Sequence, residues 1–416
     1  MQPQESFISF FPKDAFYRKL ASPIPDWMKK QIRKDLSPFE NFPITIPRLD
    51  ATFEKTYNPK SPDSFRRYCI FNNELYRYSP DKKNLSSKNS PFEKALKTLL
   101  YYTQVPNCEF LLCTLDGLVE PYMDPNFYKT RKLEDQAPIF AQAKRKEPFT
   151  QFIVLIPDQF SLSRTWHSDI QAVEKAIPLV PWEVKKEFLT WRGGFTDTGV
   201  PQERSDFSLE ASSRYKLCLL SQKHVDLIDS GFTGAGCKLV ADSIKKQNLT
   251  RPFLLKEEQL KAKYLPVLDG HMCTYPGFQW RLLSNSVAFK QDSDQIQWFY
   301  EALQPYIHYV PIKNDLSDLV EKLNWAKKED FFMQKIAKNS REFALENLLL
   351  EDNYLYLYHL LQAYAKLQKM DFTHIQKDPQ WIGIQYRKRL QAKRSMRKMG
   401  KRLTSFFSKS AGRKAI

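Results

Sequence analysis

The sequence predicts an α/β protein built on largely parallel sheets, and three observations predict it. Short apolar runs of strand length alternate with amphipathic stretches through most of the 416 residues. Three of those runs end in glycine-containing turns, where backbone can approach a ligand outside the carboxyl end of a strand. Hydrophobic residues make up 42% and aromatics 14% of the chain, enough to bury real cores in roughly two to three domains. Glycine is scarce, 12 in all, which excludes collagen-like, propeller and Gly-linker architectures.

Taken in order, 92–102 reads as a helix because its apolar residues recur at steps of three and four, and 109–115 as a buried strand running into Asp116-Gly117. A strand at 152–156 follows. The proline-containing stretch 177–182 then reads as an interdomain linker, which places a site between two lobes. Beyond it a strand at 188–191 runs into Arg192-Gly193-Gly194, helices are expected at 214–220 and 238–246, and a strand at 264–268 runs into Asp269-Gly270. Strands at 287–290 and 308–312 and helices at 294–303, 316–327 and 331–348 complete the pattern.

Lys and Arg number 64 against 47 Asp and Glu, a formal +17. Twelve of the basic residues lie from Arg387 onward with no acidic residue among them; subtracting these twelve leaves +5 for the first 386. The charge is a tail property, so the body makes no case for an extended nucleic-acid footprint, and no nucleic acid is expected as a partner. Within the tail Leu390, Met396, Met399, Leu403, Phe406 and Phe407 recur at roughly helical spacing, which suits an anionic membrane surface. A solvated basic tail is the alternative.

No apolar run is long enough to span a membrane. The amino-terminal stretch lacks the pattern of a signal peptide, so a cytoplasmic protein, peripheral on the inner face of the membrane, is expected. The six cysteines form no paired metal-ligand spacing and read as reduced core residues. GxGxxG after a strand, GxxxxGK[ST] and HExxH are missing, which disfavours dinucleotide, P-loop and zinc chemistry. No metal or cofactor is expected.

Asp116, after an apolar strand, is a candidate general base, or else a turn aspartate favoured by Gly117. Arg192, Arg214 and Arg281 are candidate phosphate ligands, because planar guanidinium donors bind phosphate oxygens bidentately, or else ordinary ion-pair partners. His271 reads as a base, a ligand or a structural histidine.

Asp116, Trp191-Arg192-Gly193-Gly194 and the run from Lys263 to Asp318 together resemble the CAP10-type glycosyltransferases, which include bacterial lipopolysaccharide-modifying proteins, capsule xylosyltransferase-like proteins and protein O-glucosyltransferases. Residues 60–370 carry the match. Its densest parts are Lys263-Tyr264-Leu265, Asp269-Gly270, Leu283-Ser284-Asn285-Ser286-Val287, Lys290-Gln291-Asp292-Ser293, Trp298 to Pro305 and His308 to Ile312.

The resemblance implies a GT-B fold of two Rossmann-like lobes with a cleft between them. It implies a base-carrying, acceptor-side lobe over 1–180, a donor-nucleotide lobe over 181–348, helices over 349–386 packing back on the first lobe, and the basic tail 387–416. It further implies an inverting, metal-independent transfer from a UDP-sugar, with glucose the expected sugar. Asp116 would be the base, and Arg192, Gly193, Gly194, Thr196, Arg214 and Arg281 would hold the donor diphosphate, with Asp269, Gly270 and Ser286 as further donor-site residues. Ungapped counting puts Gly277 where the family has its second phosphate arginine, and Arg281 stands one helical turn on. A glycolipid such as a lipopolysaccharide core is the expected acceptor; a protein O-glycosyltransferase and a non-catalytic binding protein on the same fold are the alternatives.

Overall fold

The computed structural model describes residues 13–80, 90–117, 132–146, 150–196, 209–236 and 238–384. Helices α1 (Lys13–Ala21), α2 (Asp26–Leu36) and α3 (Ile46–Thr56) lead into β1 (Phe65–Phe71) and β2 (Glu74–Tyr78). Asn72 and Asn73 join these strands with φ of 51° and 62°, the left-handed pair that a two-residue hairpin turn requires, so β1 and β2 are antiparallel. Helix α4 (Pro91–Tyr102) starts at Ser90, whose hydroxyl accepts from the Glu93 amide while Glu93 bonds back. Next come β3 (Cys108–Cys113), β4 (Ile139–Ala141), β5 (Lys144–Arg145), β6 (Ile153–Leu155) and α5 (Arg164–Ala176).

The second half runs β7 (Lys186–Phe195), α6 (Ser213–Lys223), β8 (Ile228–Ala235), α7 (Lys238–Lys246), α8 (Lys256–Gln259), β9 (Ala262–Val267) and α9 (Gly277–Leu283). It continues with β10 (Val287–Gln291), β11 (Gln295–Ile296), β12 (Val310–Ile312), α10 (Leu319–Lys328) and α11 (Asp330–Asn347). The chain then returns to the first half through α12 (Leu350–Ala365), α13 (His374–Lys377) and β13 (Trp381–Gly383).

Two main sheets result. The second has the order β12-β10-β9-β7-β8 and is parallel throughout. Its strand order reverses between β7 and β9, and in such sheets ligands bind at the carboxyl ends flanking the reversal. The first has the order β13-β2-β1-β3-β4-β6 and is parallel only across β3, β4 and β6. The two-stranded pair β5–β11 ties the halves together. One apolar core runs from α1 to α12 and takes in α9, every residue of which is buried; a second lies beneath β7–β12.

The structure corrects the sequence reading in two places. Three of the five pairings in the first sheet, β13–β2, β2–β1 and β1–β3, are antiparallel, and the Asn72-Asn73 hairpin sets the one between β1 and β2. Residues 294–303 hold β11 and a short 3-10 turn, Tyr300–Ala302, in place of a helix. Their apolar residues are buried because the segment wedges between the halves, where Trp298 lies 5.3 Å from Trp27 and 4.3 Å from Tyr356, ring centre to ring centre. Cys69, Cys108, Cys113, Cys218 and Cys273 are buried and unpaired. Among the described residues no helix is long and apolar enough to cross a membrane. The basic tail 387–416 and Cys237 lie outside the described residues.

Candidate active site

At the strand-order reversal, Arg214 on the first turn of α6 joins the ends of β7 and β9. Its Nε donates to the Asp269 carbonyl at 3.0 Å, one Nη to the Gly194 carbonyl at 2.9 Å and to Thr196 Oγ1, and the other to the Leu268 carbonyl at 3.3 Å. These four acceptors are neutral oxygens at the ends of β7 and β9, so the bonds orient the guanidinium there. Gly270 makes the approach possible: a Cβ there would stand 2.5 Å from Thr196 Oγ1 and 2.8 Å from an Arg214 Nη. Asp269 accepts from Ser293 Oγ while its amide donates to Gln291 Oε1 at 3.0 Å. Burial raises the pKa of this carboxyl above its ordinary range against the pull of Lys290, the Ser293 bond and Arg214.

Arg281 supplies a second cation. It sits on α9, 5% exposed, and donates to the Gly277 carbonyl at 2.9 Å, while its Nε has no hydrogen-bond partner. No carboxylate among the described residues pairs with it. Burial, and after it the neighbouring charge of Arg214, pull its pKa well below the usual value. A buried guanidinium held this way is stabilised by any anion that reaches it.

Asp116 lies in the turn after β3 and is partly buried. Burial raises its pKa, and nearby His271 opposes the rise. Its main-chain carbonyl accepts from the Tyr275 hydroxyl, which comes from the second half of the molecule. Gly117 packs under Met272, where a Cβ would lie 2.8 Å from the methionine methyl. The segment between β9 and α9 therefore touches Asp116 with one part and Arg214 with another, so one short stretch of chain links the base candidate to the cation.

Two candidates, Arg192 and Ser286, stand elsewhere. Arg192 is expected at the diphosphate, but one of its Nη atoms donates to both carboxylate oxygens of Asp229, at 2.8 and 3.0 Å, and its Nε to the Pro252 carbonyl at 3.1 Å. Strand neighbours point to opposite faces, and Arg192 faces away from Trp191. Ser286 lies at the amino end of β10, where it donates to the Ala262 carbonyl and accepts from Lys185, at the far end of the sheet from the crevice. Gly193 and Gly194 belong to β7 itself and pair with β8 across a register shift, so no free turn follows Trp191. At Gly193 a Cβ would meet the Trp191 ring at 2.4 Å, which gives this glycine a packing role.

Sequence reasoning passed over Tyr275, Gln291 and Ser293. Gln291 braces the crevice from below: its Nε2 donates to Ser213 Oγ at 2.5 Å and to Asn314 Oδ1 at 2.7 Å. Gln291 and Ser293 stood within a recognised motif, and that position was the available signal. Tyr275 carried no signal, since its partner is a main-chain carbonyl 159 residues away.

A model described as Glycosyl transferase family 90 matches residues 22–402. Protein O-glucosyltransferase 3 of Homo sapiens is 38% identical over 156 residues, 37% of this chain and 30% of that protein. Protein O-glucosyltransferase 1 of Rattus norvegicus is 30% identical over 194 residues, 46% of this chain and 45% of that protein. The chain thus spans less than half the length of these curated relatives. Among solved structures, a glycosyltransferase from Rickettsia africae ESF-5 aligns over 68% of this chain and 76% of its own, with 13% identity and a TM-score of 0.35.

Proposed function

The chain belongs to glycosyl transferase family 90, and we propose that it transfers a sugar, glucose, from a UDP-sugar to a hydroxyl of a surface glycolipid such as a lipopolysaccharide core, with inversion and without a metal. One observation carries the reading: Arg281, a buried guanidinium that pairs with no carboxylate among the described residues, lies close enough to Arg214, at the reversal point of a parallel sheet, to feel its charge. Two guanidinium groups this close to each other suit a diphosphate.

In the proposed step Asp116 accepts the proton of the acceptor hydroxyl as its oxygen bonds to the anomeric carbon. The bond from that carbon to the diphosphate oxygen breaks, and UDP departs with the electron pair. Negative charge grows on the diphosphate, and Arg214 and Arg281 neutralise it from fixed positions, so little reorganisation accompanies the step. The buried setting of Asp116 makes it a stronger base than an exposed aspartate.

Glucose is supported by the names of the similar O-glucosyltransferases. The glycolipid acceptor is supported by the twelve basic residues of 387–416, interleaved with apolar ones as suits an anionic lipid surface. Those same names favour a protein acceptor as the second reading. The test is acceptor-dependent UDP release from UDP-glucose, UDP-xylose and UDP-galactose, with purified glycolipid cores or folded protein domains as acceptors. Glycolipid-dependent release with UDP-glucose supports the reading; release with protein domains alone overturns its acceptor, and none with any donor overturns the reading itself.

A further inference from the structure

A cavity of about 640 Å³ lies between the two halves beside the β5–β11 pair, and neither Asp116, Arg214 nor Arg281 lines it. Four lysines do: Lys34, Lys144, Lys146 and Lys290. Three are paired, Lys34 with Glu301, Lys144 with Asp35 at 2.8 Å and Lys146 with Asp292 at 3.6 Å. Lys290 is different. It is 8% exposed, its Nζ donates to the Gln291 carbonyl at 2.8 Å, and it makes no ion pair among the described residues. Asp269 feels its charge from beyond pairing distance. The Tyr300 ring, centred 4.8 Å from Nζ, and the Phe278 ring at 5.9 Å supply partial compensation.

A buried ammonium with one carbonyl acceptor favours an anion. Around it the wall is flat and apolar, with Tyr300, Tyr306, Tyr309 and Pro311, surfaces that suit the C–H face of a sugar ring. The volume falls within the usual range for a small-molecule site. We propose that this cavity binds an anionic monosaccharide unit, phosphorylated or carboxylated, with its charged group on Lys290 and its ring against the tyrosines. The cavity adjoins the crevice assigned above to the donor diphosphate and shares Gln291 and Ser293 with it, but it offers the charge of Lys290 where the crevice offers Arg214 and Arg281.

Calorimetry on the full chain with glucose 6-phosphate, glucuronate, glucose and inorganic phosphate, each with and without saturating UDP, tests this. The proposal expects at least one anionic sugar to bind at least tenfold more tightly than glucose and than inorganic phosphate, undisplaced by UDP. Whichever of the two binds better identifies phosphate or carboxylate as the group recognised. Lys290→Met should weaken that binding at least tenfold with UDP affinity unchanged, and Tyr306→Ala, at an exposed wall position, should weaken it without touching the core. Equal binding of glucose or inorganic phosphate, displacement by UDP, or unchanged affinity in a folded Lys290→Met protein each overturns it. Binding of the anionic sugar by a chain that fails to bind UDP leaves this site standing and removes the donor assignment instead.

Discussion

The Tyr275 hydroxyl donates to the main-chain carbonyl of Asp116, joining the turn after β3 in the first sheet to the segment between β9 and α9 in the second. This bond holds the base candidate against the wall that also carries Gly270 and, through it, Arg214. Tyr275→Phe removes the bond and keeps the ring. The expected outcome is a fall in kcat of about tenfold, the loss of roughly 1.4 kcal/mol of positioning, with KM for the UDP-sugar nearly unchanged. Equal changes in kcat and KM, or none, would remove Tyr275 from this role.

Asp116→Asn should abolish transfer and leave UDP affinity intact, because the amide keeps the shape and loses the basicity. Asp116 must be ionised to accept a proton, and its folded pKa lies above the ordinary 3.8. Activity should therefore fall as pH is lowered through that raised value, at a higher pH than a free aspartate would set. A pH–rate profile flat down to about pH 4 contradicts the assignment.

Arg281→Met separates stability from binding. Without an anion the guanidinium is a buried charge with no carboxylate partner among the described residues, offset by the Gly277 carbonyl and by the Trp280 ring centred 4.5 Å away, so an unbranched, uncharged methionine should leave the melting temperature of the free protein unchanged or higher. UDP affinity should fall roughly 100-fold or more, in line with about 3–4 kcal/mol for a fixed donor at developing charge. A large loss of stability with retained UDP binding would identify Arg281 as a purely structural residue.

Gly270→Ala places a methyl 2.5 Å from Thr196 Oγ1 and 2.8 Å from Arg214. Overpacking of this kind costs about 1–3 kcal/mol, and here it also displaces the guanidinium, so both stability and UDP affinity should drop. Denaturant melts and calorimetry on the variant check the two effects separately.

His374 ties the returning segment to the first sheet through Glu109 Oε2 at 2.9 Å, and that bond raises its pKa. A raised histidine pKa contributes stability that is fully present below the unfolded value and lost as pH rises through the folded one. His374→Gln should therefore destabilise by about 1 kcal/mol near pH 5.5, given its partial exposure, and by much less at pH 8.5. Equal destabilisation at both pH values contradicts the coupling.

What could be read in advance follows from physics. The parallel sheet was legible because β9 and β10 are buried on every residue and read as apolar runs. β8 escaped notice because Asp229, Ser230, Thr233 and two glycines interrupt it, and its pairing with β7 is what makes it a strand. β1 escaped because Arg66 and Arg67 stand near its start, buried against Glu93 and Glu109 by ion pairs that only the fold creates. At the site, Arg214, Asp269 and Gly270 adjoin turns that small residues mark. The diversion of Arg192 to Asp229 and of Ser286 to Lys185 depends on partners 37 and 101 residues away, which no local pattern discloses.

The central claim is that the crevice at the β7–β9 reversal binds a diphosphate through Arg214 and Arg281 without a metal. Its most direct test is thermal unfolding of the intact chain titrated with UDP in EDTA, alongside Arg281→Met. A ligand at 100 times its Kd adds about 2.7 kcal/mol of stability, so the account predicts a clear rise in melting temperature for the parent chain and its loss in the variant. No shift in the parent, or an equal shift in Arg281→Met, would contradict it.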